Sequence, residues 1–211
     1  MSLNDAFVQN PLIAILRGLE PNRAIDVTDV LFDAGFRIIE VPLNSPEPLV
    51  SIERIATKYS SQIVVGAGTV LTPSGVTDVV NAGGQIIVSP NLNSNVGARA
   101  LELGADWCPG VATPSEAFAA LEQGAHMLKF FPAEIITPSA IGAMRAVLPA
   151  DARIAVVGGI TPEKMASYIS VGANGFGLGS ALFKPTYELD ELKKRANSFV
   201  SALVVDGISG G

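Results

Sequence analysis

Histidine and cysteine occur once each in this chain of 211 residues, as His126 and Cys108. A zinc site made from those two residue types needs more ligands than they supply, so no metal is expected. A single cysteine excludes an internal disulfide framework and fits a reducing compartment. A Ser-His-Asp or Cys-His apparatus would have to use His126, which reads instead as a packed or strand-edge residue. Charge is sparse as well: 16% of residues are Asp, Glu, Lys or Arg, the net charge is −6 and the pI is near 4.8. No run of Lys and Arg offsets that acidity, which excludes a general nucleic-acid binder. No apolar stretch reaches the roughly 18 residues of a membrane span. The amino terminus MSLNDAFVQNPLIAIL has no basic region ahead of its short apolar run, so no signal peptide is expected. These absences leave a soluble, cytoplasmic protein. If it is an enzyme, lysine and carboxylates must do the covalent and proton work.

Apolar residues make up 48% of the chain, enough for one sizeable core, and no linker divides it. Residues 1–211 therefore read as a single domain, with only the terminal GISGG looking frayed. Eight short apolar runs recur: LIAILRG (12–18), FRIIEVP (36–42), QIVVGAG (62–68), QIIVSP (85–90), DWCPG (106–110), HMLKFFP (126–132), RIAVVGG (153–159) and GFGLGS (175–180). Each is too short for a helix and reads as a buried parallel strand. The lead-ins DAGF, NAGG, ELGAD, EQGAH and SVGAN put glycine just past a helix end, where a left-handed cap residue belongs. LTPSG, ATPSEAF, ITPSAIG and ITPEKM share Thr then Pro, a helix N-cap followed by a residue pre-set for the first turn. Thr113 and Glu116 add a capping box. Eight alternating strand–helix units predict a (β/α)8 TIM barrel. An open doubly wound sheet fits less well, because GxGxxG is missing after the first strand.

In such a barrel the chemistry sits at the C-terminal ends of the strands. Three charges fall there: Arg17 closing LIAILR, Glu40 in RIIEVP and Lys129 in HMLKFFP. Period-2 alternation places Ile13, Ile15 and Arg17 on one face, Ile38 with Glu40 on another, and Met127, Lys129 and Phe131 on a third. Pointed inward, all three charges meet in the barrel mouth, with Thr69 and Pro90 on the same rim. A structural ion network closing the barrel top is the plain alternative. The concentration of charge at three otherwise apolar strand ends favours a site. A lysine flanked by Leu128, Phe130 and Phe131 is poorly solvated, which favours the neutral amine that attacks carbonyls. Glu40 is the one carboxylate of the group able to move protons, directly or through a water. Arg17 can fork onto a substrate carboxylate, with the Thr69 hydroxyl assisting. Gly158-Gly159 after the seventh strand and Gly177-Leu-Gly179-Ser180 at the eighth let backbone N–H groups approach an anion, the usual phosphate end of a barrel.

Taken in order, IAILRG, EVPLNSP, GAGTVL, SPN, CPGVATPSEA, LKFFPAE, VVGGITPE and GLGSAL resemble the 2-keto-3-deoxy-6-phosphogluconate and -phosphogalactonate aldolases. These are the class I aldolases of Entner–Doudoroff-type pathways, and the likeness covers nearly the whole chain. It implies a Schiff base between Lys129 and pyruvate, with Glu40 as acid and base. It implies a pyruvate pocket lined by Arg17, Thr69, Pro90 and Phe131, and a phosphate end at Gly158, Gly159 and Ser180, with Gly179 beside them. It further implies a homotrimer that needs no metal or other cofactor and releases pyruvate and glyceraldehyde 3-phosphate. Asn44 in EVPLNSP and Val157 before the Gly-Gly pair are similar to the galactonate branch, whereas KFFPAE is similar to the gluconate branch. The expected substrate is 2-dehydro-3-deoxy-6-phosphogalactonate. The alternatives are the gluconate epimer, 4-hydroxy-2-oxoglutarate, and, from other classes, a phosphosugar isomerase or epimerase or a non-catalytic phosphosugar binder.

Overall fold

The computed structural model describes residues 1–205, and the terminal GISGG lies outside the described residues. Nine parallel strands form the sheet: β1 (Leu12–Ile15), β2 (Ile38–Pro42), β3 (Val64–Gly68), β4 (Ile86–Val88), β5 (Asp106–Cys108), β6 (Gly110–Val111), β7 (Leu128–Phe130), β8 (Ile154–Val157) and β9 (Gly175–Leu178). They pair in the order β5-β4-β3-β2-β1-β9-β8-β7-β6. The two outer members, β5 and β6, are halves of the single run DWCPG, separated by Pro109. Proline has no N–H to give a ladder, so the fifth expected strand splits. Its first half pairs with β4 and its second with β7. His126 N donates to Trp107 O at 2.9 Å and Lys129 N to Pro109 O at 3.0 Å, which closes the seam. The eight-position barrel expected from the sequence is therefore present, with one position in two pieces.

Each strand position is followed by a helix: α2 (Ala24–Asp33), α3 (Pro48–Tyr59), α4 (Pro73–Asn81), α5 (Ser94–Glu102), α6 (Pro114–Glu122), α7 (Pro138–Arg145), α8 (Pro162–Ile169) and α9 (Leu189–Val205). The Thr-Pro starts behave as their chemistry dictates. Thr72 accepts from Gly75 N at 3.1 Å, Thr113 from Glu116 N at 3.3 Å and Thr137 from Ala140 N at 3.4 Å. The Thr113–Glu116 capping box is complete. Thr161 occupies the fourth N-cap position without a side-chain bond to the backbone. Gly35, Gly83, Gly104, Gly124 and Gly172 all take positive φ just past helix ends.

Strand alternation sorts the core into two layers. Outward residues such as Leu12, Ile39, Val65, Ile87, Trp107, Phe130, Val156 and Phe176 pack against the helices. Inward residues Ile13, Ile38, Val64, Ile86, Val88, Cys108, Met127 and Ala155 fill the barrel. An additional helix, α1 (Leu3–Gln9), seals the lower end with Leu3, Ala6 and Phe7. Burying Leu3 and Phe7 contributes about 1.5–3 kcal/mol each. Gly175 makes room for this plug, since a Cβ there would stand 2.6 Å from the Phe7 ring. His126 belongs to the lower end too, accepting Trp107 N–H at 3.2 Å and lying 3.3 Å from Asp106. Among the described residues, no helix is long and apolar enough to cross a membrane.

Candidate active site

The inward face that is apolar below becomes charged one layer up. β1 and β2 are in register with Ile15 opposite Glu40, and β7 and β8 with Lys129 opposite Ala155. Glu40 is 2% exposed and Lys129 8%, so both charges are held inside the barrel. Small residues flank them and leave the space they need. Gly66 pairs with Glu40 and Gly110 with Lys129. Gly68 matters most: a Cβ at that position would lie 2.0 Å from Glu40 Oε2, so any side chain there displaces the carboxylate.

Glu40 Oε2 is buried without a hydrogen-bond partner among the described residues. Burial pushes the Glu40 carboxyl above its usual range, and the positive charges of Lys129 and Arg17 pull against that shift. No ion pair within salt-bridge distance joins Glu40 to Lys129 among the described residues, where the pairs formed are between other partners. The two groups thus face one cavity without neutralising each other directly. Lys129 Nζ lies 5.1 Å from the centroid of the Phe131 ring, which forms part of the wall above it.

The cavity opens upward into a cleft of about 240 Å³. All eleven residues singled out from the sequence border it: Lys129, Glu40, Arg17, Thr69, Pro90, Phe131, Val157, Gly158, Gly159, Gly179 and Ser180. Arg17 is exposed at the rim, where one guanidinium nitrogen donates to Asn44 Oδ1 and another to Thr69 Oγ1 at 3.4 Å. A guanidinium carries five N–H donors, so donors remain for a carboxylate. Thr69 takes φ 57°, a left-handed conformation that β-branched residues avoid. Strain of that kind concentrates at functional sites. At the opposite side, Gly158 and Gly159 have φ of 113° and 56°, and a Cβ at Gly179 would meet only open space. Backbone at Gly179 is open, whereas the Glu134 carboxylate stands over the Gly158–Gly159 turn.

Sequence reasoning missed Glu134, Ile160 and Ala181, which also line the cleft. Glu134 sits in KFFPAE but reads as an ordinary exposed loop acid, because its strand has already ended. Nor did the sequence disclose that Asn44 orients Arg17, a contact 27 residues apart in the chain.

A parallel barrel that holds a buried lysine and glutamate in one cleft with a rim arginine has the groups that carbonyl chemistry uses. The sequence model of the aldolase family described as KDPG and KHG aldolase matches residues 3–195, and the chain belongs to that family. It is 45% identical to the 2-dehydro-3-deoxy-6-phosphogalactonate aldolase of Escherichia coli K12 over 192 residues, 91% of this chain and 94% of that one. The KHG/KDPG aldolase of the same strain is 29% identical over 172 residues, 81% of this chain and 79% of that one. Among solved structures, one described as native KDPGal superposes with a TM-score of 0.91 at 44% identity, covering 93% of this chain and 95% of that chain.

Proposed function

We propose that this aldolase cleaves 2-dehydro-3-deoxy-6-phosphogalactonate to pyruvate and glyceraldehyde 3-phosphate through an imine on Lys129. The observation that carries the reading is the burial of Lys129 and Glu40 in one barrel layer beneath Arg17. The Lys129 amine attacks the C2 carbonyl, and loss of water gives the protonated imine. Arg17 holds the C1 carboxylate. Glu40 takes the C4 hydroxyl proton, the C3–C4 bond breaks, and its electron pair moves to the imine nitrogen as the aldehyde leaves. Protonation of the resulting enamine at C3 and hydrolysis of the imine release pyruvate and free Lys129. The unpartnered Oε2 of Glu40, buried against the same cavity, suits it to accept and return those protons. The Gly158–Gly159 turn, Gly179 and Ser180 receive the phosphate.

The galactonate substrate is favoured by the greater identity to the galactonate enzyme and by Val157. The galactonate and gluconate compounds differ only at C4, and Val157, 6% exposed, presents methyl groups to the cleft. Assembly as a homotrimer in the cytoplasm belongs to the same reading. Leu101 on α5 and Phe118 on α6, with Leu71 in the loop before α4, are exposed apolar side chains that support an interface between copies. The deciding experiment measures pyruvate release from the two C4 epimers. Cleavage of the galactonate compound at least as fast as the gluconate one is expected. A strong preference for gluconate would overturn the substrate assignment and keep the aldolase, while no release from either would remove both.

A further inference from the structure

Two carboxylates line the cleft, and the aldol chemistry uses only Glu40. The other, Glu134, follows β7 in KFFPAE and reaches across to the Gly158–Gly159 turn. A Cβ at position 158 would stand 2.5 Å from Glu134 Oε2, and one at position 159 would stand 2.9 Å from Oε1. Both carboxylate oxygens therefore rest on the glycine turn itself. The same turn is held on its carbonyl side, where Lys164 Nζ donates to Gly159 O at 2.8 Å. An ammonium on that carbonyl polarises the peptide and strengthens its N–H as a donor to an anion. Among the described residues, none of the ion pairs includes Glu134. Being exposed, its side chain can swing into solvent without breaking a buried contact.

We infer that Glu134 sets specificity at the phosphate end of the cleft. Its carboxylate stands where a phosphate binds, and it yields only to a phosphate already tethered at Lys129 and Arg17. The inference rests on the aldolase reading of the site. A carboxylate carried on the same chain acts at an effective concentration of millimolar order or above. Free inorganic phosphate must compete with it in every molecule. A substrate anchored by its imine and its C1 carboxylate delivers its own phosphate intramolecularly, so its dianion displaces the monoanion of Glu134. The turn is thereby kept from free phosphate and open to the bound substrate.

The test is inhibition of pyruvate release by inorganic phosphate in the wild type, Glu134→Gln and Glu134→Ala. Glutamine keeps the size and removes the charge, and alanine removes both. Phosphate should inhibit both variants roughly three- to tenfold more strongly than the wild type, the scale of one like charge removed at a partly exposed site. KM for the phosphorylated substrate should fall by a similar factor with no rise in kcat. Phosphate inhibition that is unchanged or weaker in both variants overturns the proposal. Borohydride labelling with pyruvate on the same three proteins keeps the two readings apart. A labelled wild type with a flat phosphate response sinks only the role of Glu134, whereas an unlabelled wild type sinks the aldolase reading beneath it.

Discussion

At one end of the cleft the proposed working groups are side chains: Lys129 and Glu40 project from the otherwise apolar strands β7 and β2, and Arg17 from the turn just past β1. At the other end the proposed groups are peptides that no Cβ covers, open at Gly179 and faced by the Glu134 carboxylate at Gly158 and Gly159. The two ends follow different physics. Ionisable side chains are costly to bury, and these are held in place by the packed barrel around them. Backbone donors incur no such cost but require conformations that only glycine adopts freely. The side-chain end should therefore fail sharply when one group is altered. The backbone end should respond in degrees, through affinity and choice of substrate.

The largest effect belongs to the buried lysine. Lys129→Arg keeps a cation in the barrel and cannot form an imine, so pyruvate release should fall to background while thermal melting stays cooperative. Glu40→Gln comes next. It removes the proton acceptor and should lower turnover about 10²–10⁴-fold, as general acid–base groups do, with pyruvate trapping still detectable. Near-normal turnover would move the proton chemistry to another group. Gly68→Ala tests the same carboxylate from outside. The new methyl displaces Glu40 from its seat, and a misplacement of about 1 Å costs on the order of a hundredfold. Turnover that survives this change would show that the position of Glu40 is not critical.

The pH dependence of stability follows from the direction of the Glu40 shift. Its carboxyl is raised from 4.5 in the folded chain, burial being the main cause. The folded state therefore holds this proton more tightly than the unfolded state does. The resulting stabilisation is complete below the unfolded pKa and is lost as pH rises through the folded one. Relative to Glu40→Gln, the wild type should lose melting temperature as pH rises from about 4.5 toward neutrality. Parallel melting curves for the two proteins would contradict that burial dominates this group. The smallest effect lies between the two ends, at Val157. A threonine there can hydrogen-bond a C4 hydroxyl that valine leaves unpaired, a difference of roughly 1–3 kcal/mol. Val157→Thr should shift the ratio of the two epimers toward gluconate by about tenfold, and an unchanged ratio would remove Val157 from the discrimination.

The two ends also differed in how far the amino-acid sequence disclosed them. Lysine or glutamate inside an apolar run violates the local pattern, so Lys129 and Glu40 stand out, and period-2 alternation puts them on the same faces as Met127 and Ile38. The glycine pairs were readable from their positions on the last two strands. What stayed hidden was tertiary. Asn44 and Arg17 meet across two loops, and Glu134 reaches a turn more than twenty residues onward. No local periodicity encodes either contact. The plug helix α1 was hidden because its seven residues are too few to develop a clear helical stripe. The break at Pro109 was signalled by the proline, but a two-residue strand on its far side leaves no pattern of its own.

Covalent chemistry at Lys129 is the most direct measure of the proposed reaction. The protein is treated with pyruvate and borohydride, digested, and the modified lysine located by mass spectrometry. One reduced pyruvyl group on Lys129, dependent on pyruvate and missing from Lys129→Arg, is the predicted result. Labelling confined to Lys164, Lys184 or another lysine, or no pyruvate-dependent label on the wild type, would contradict it.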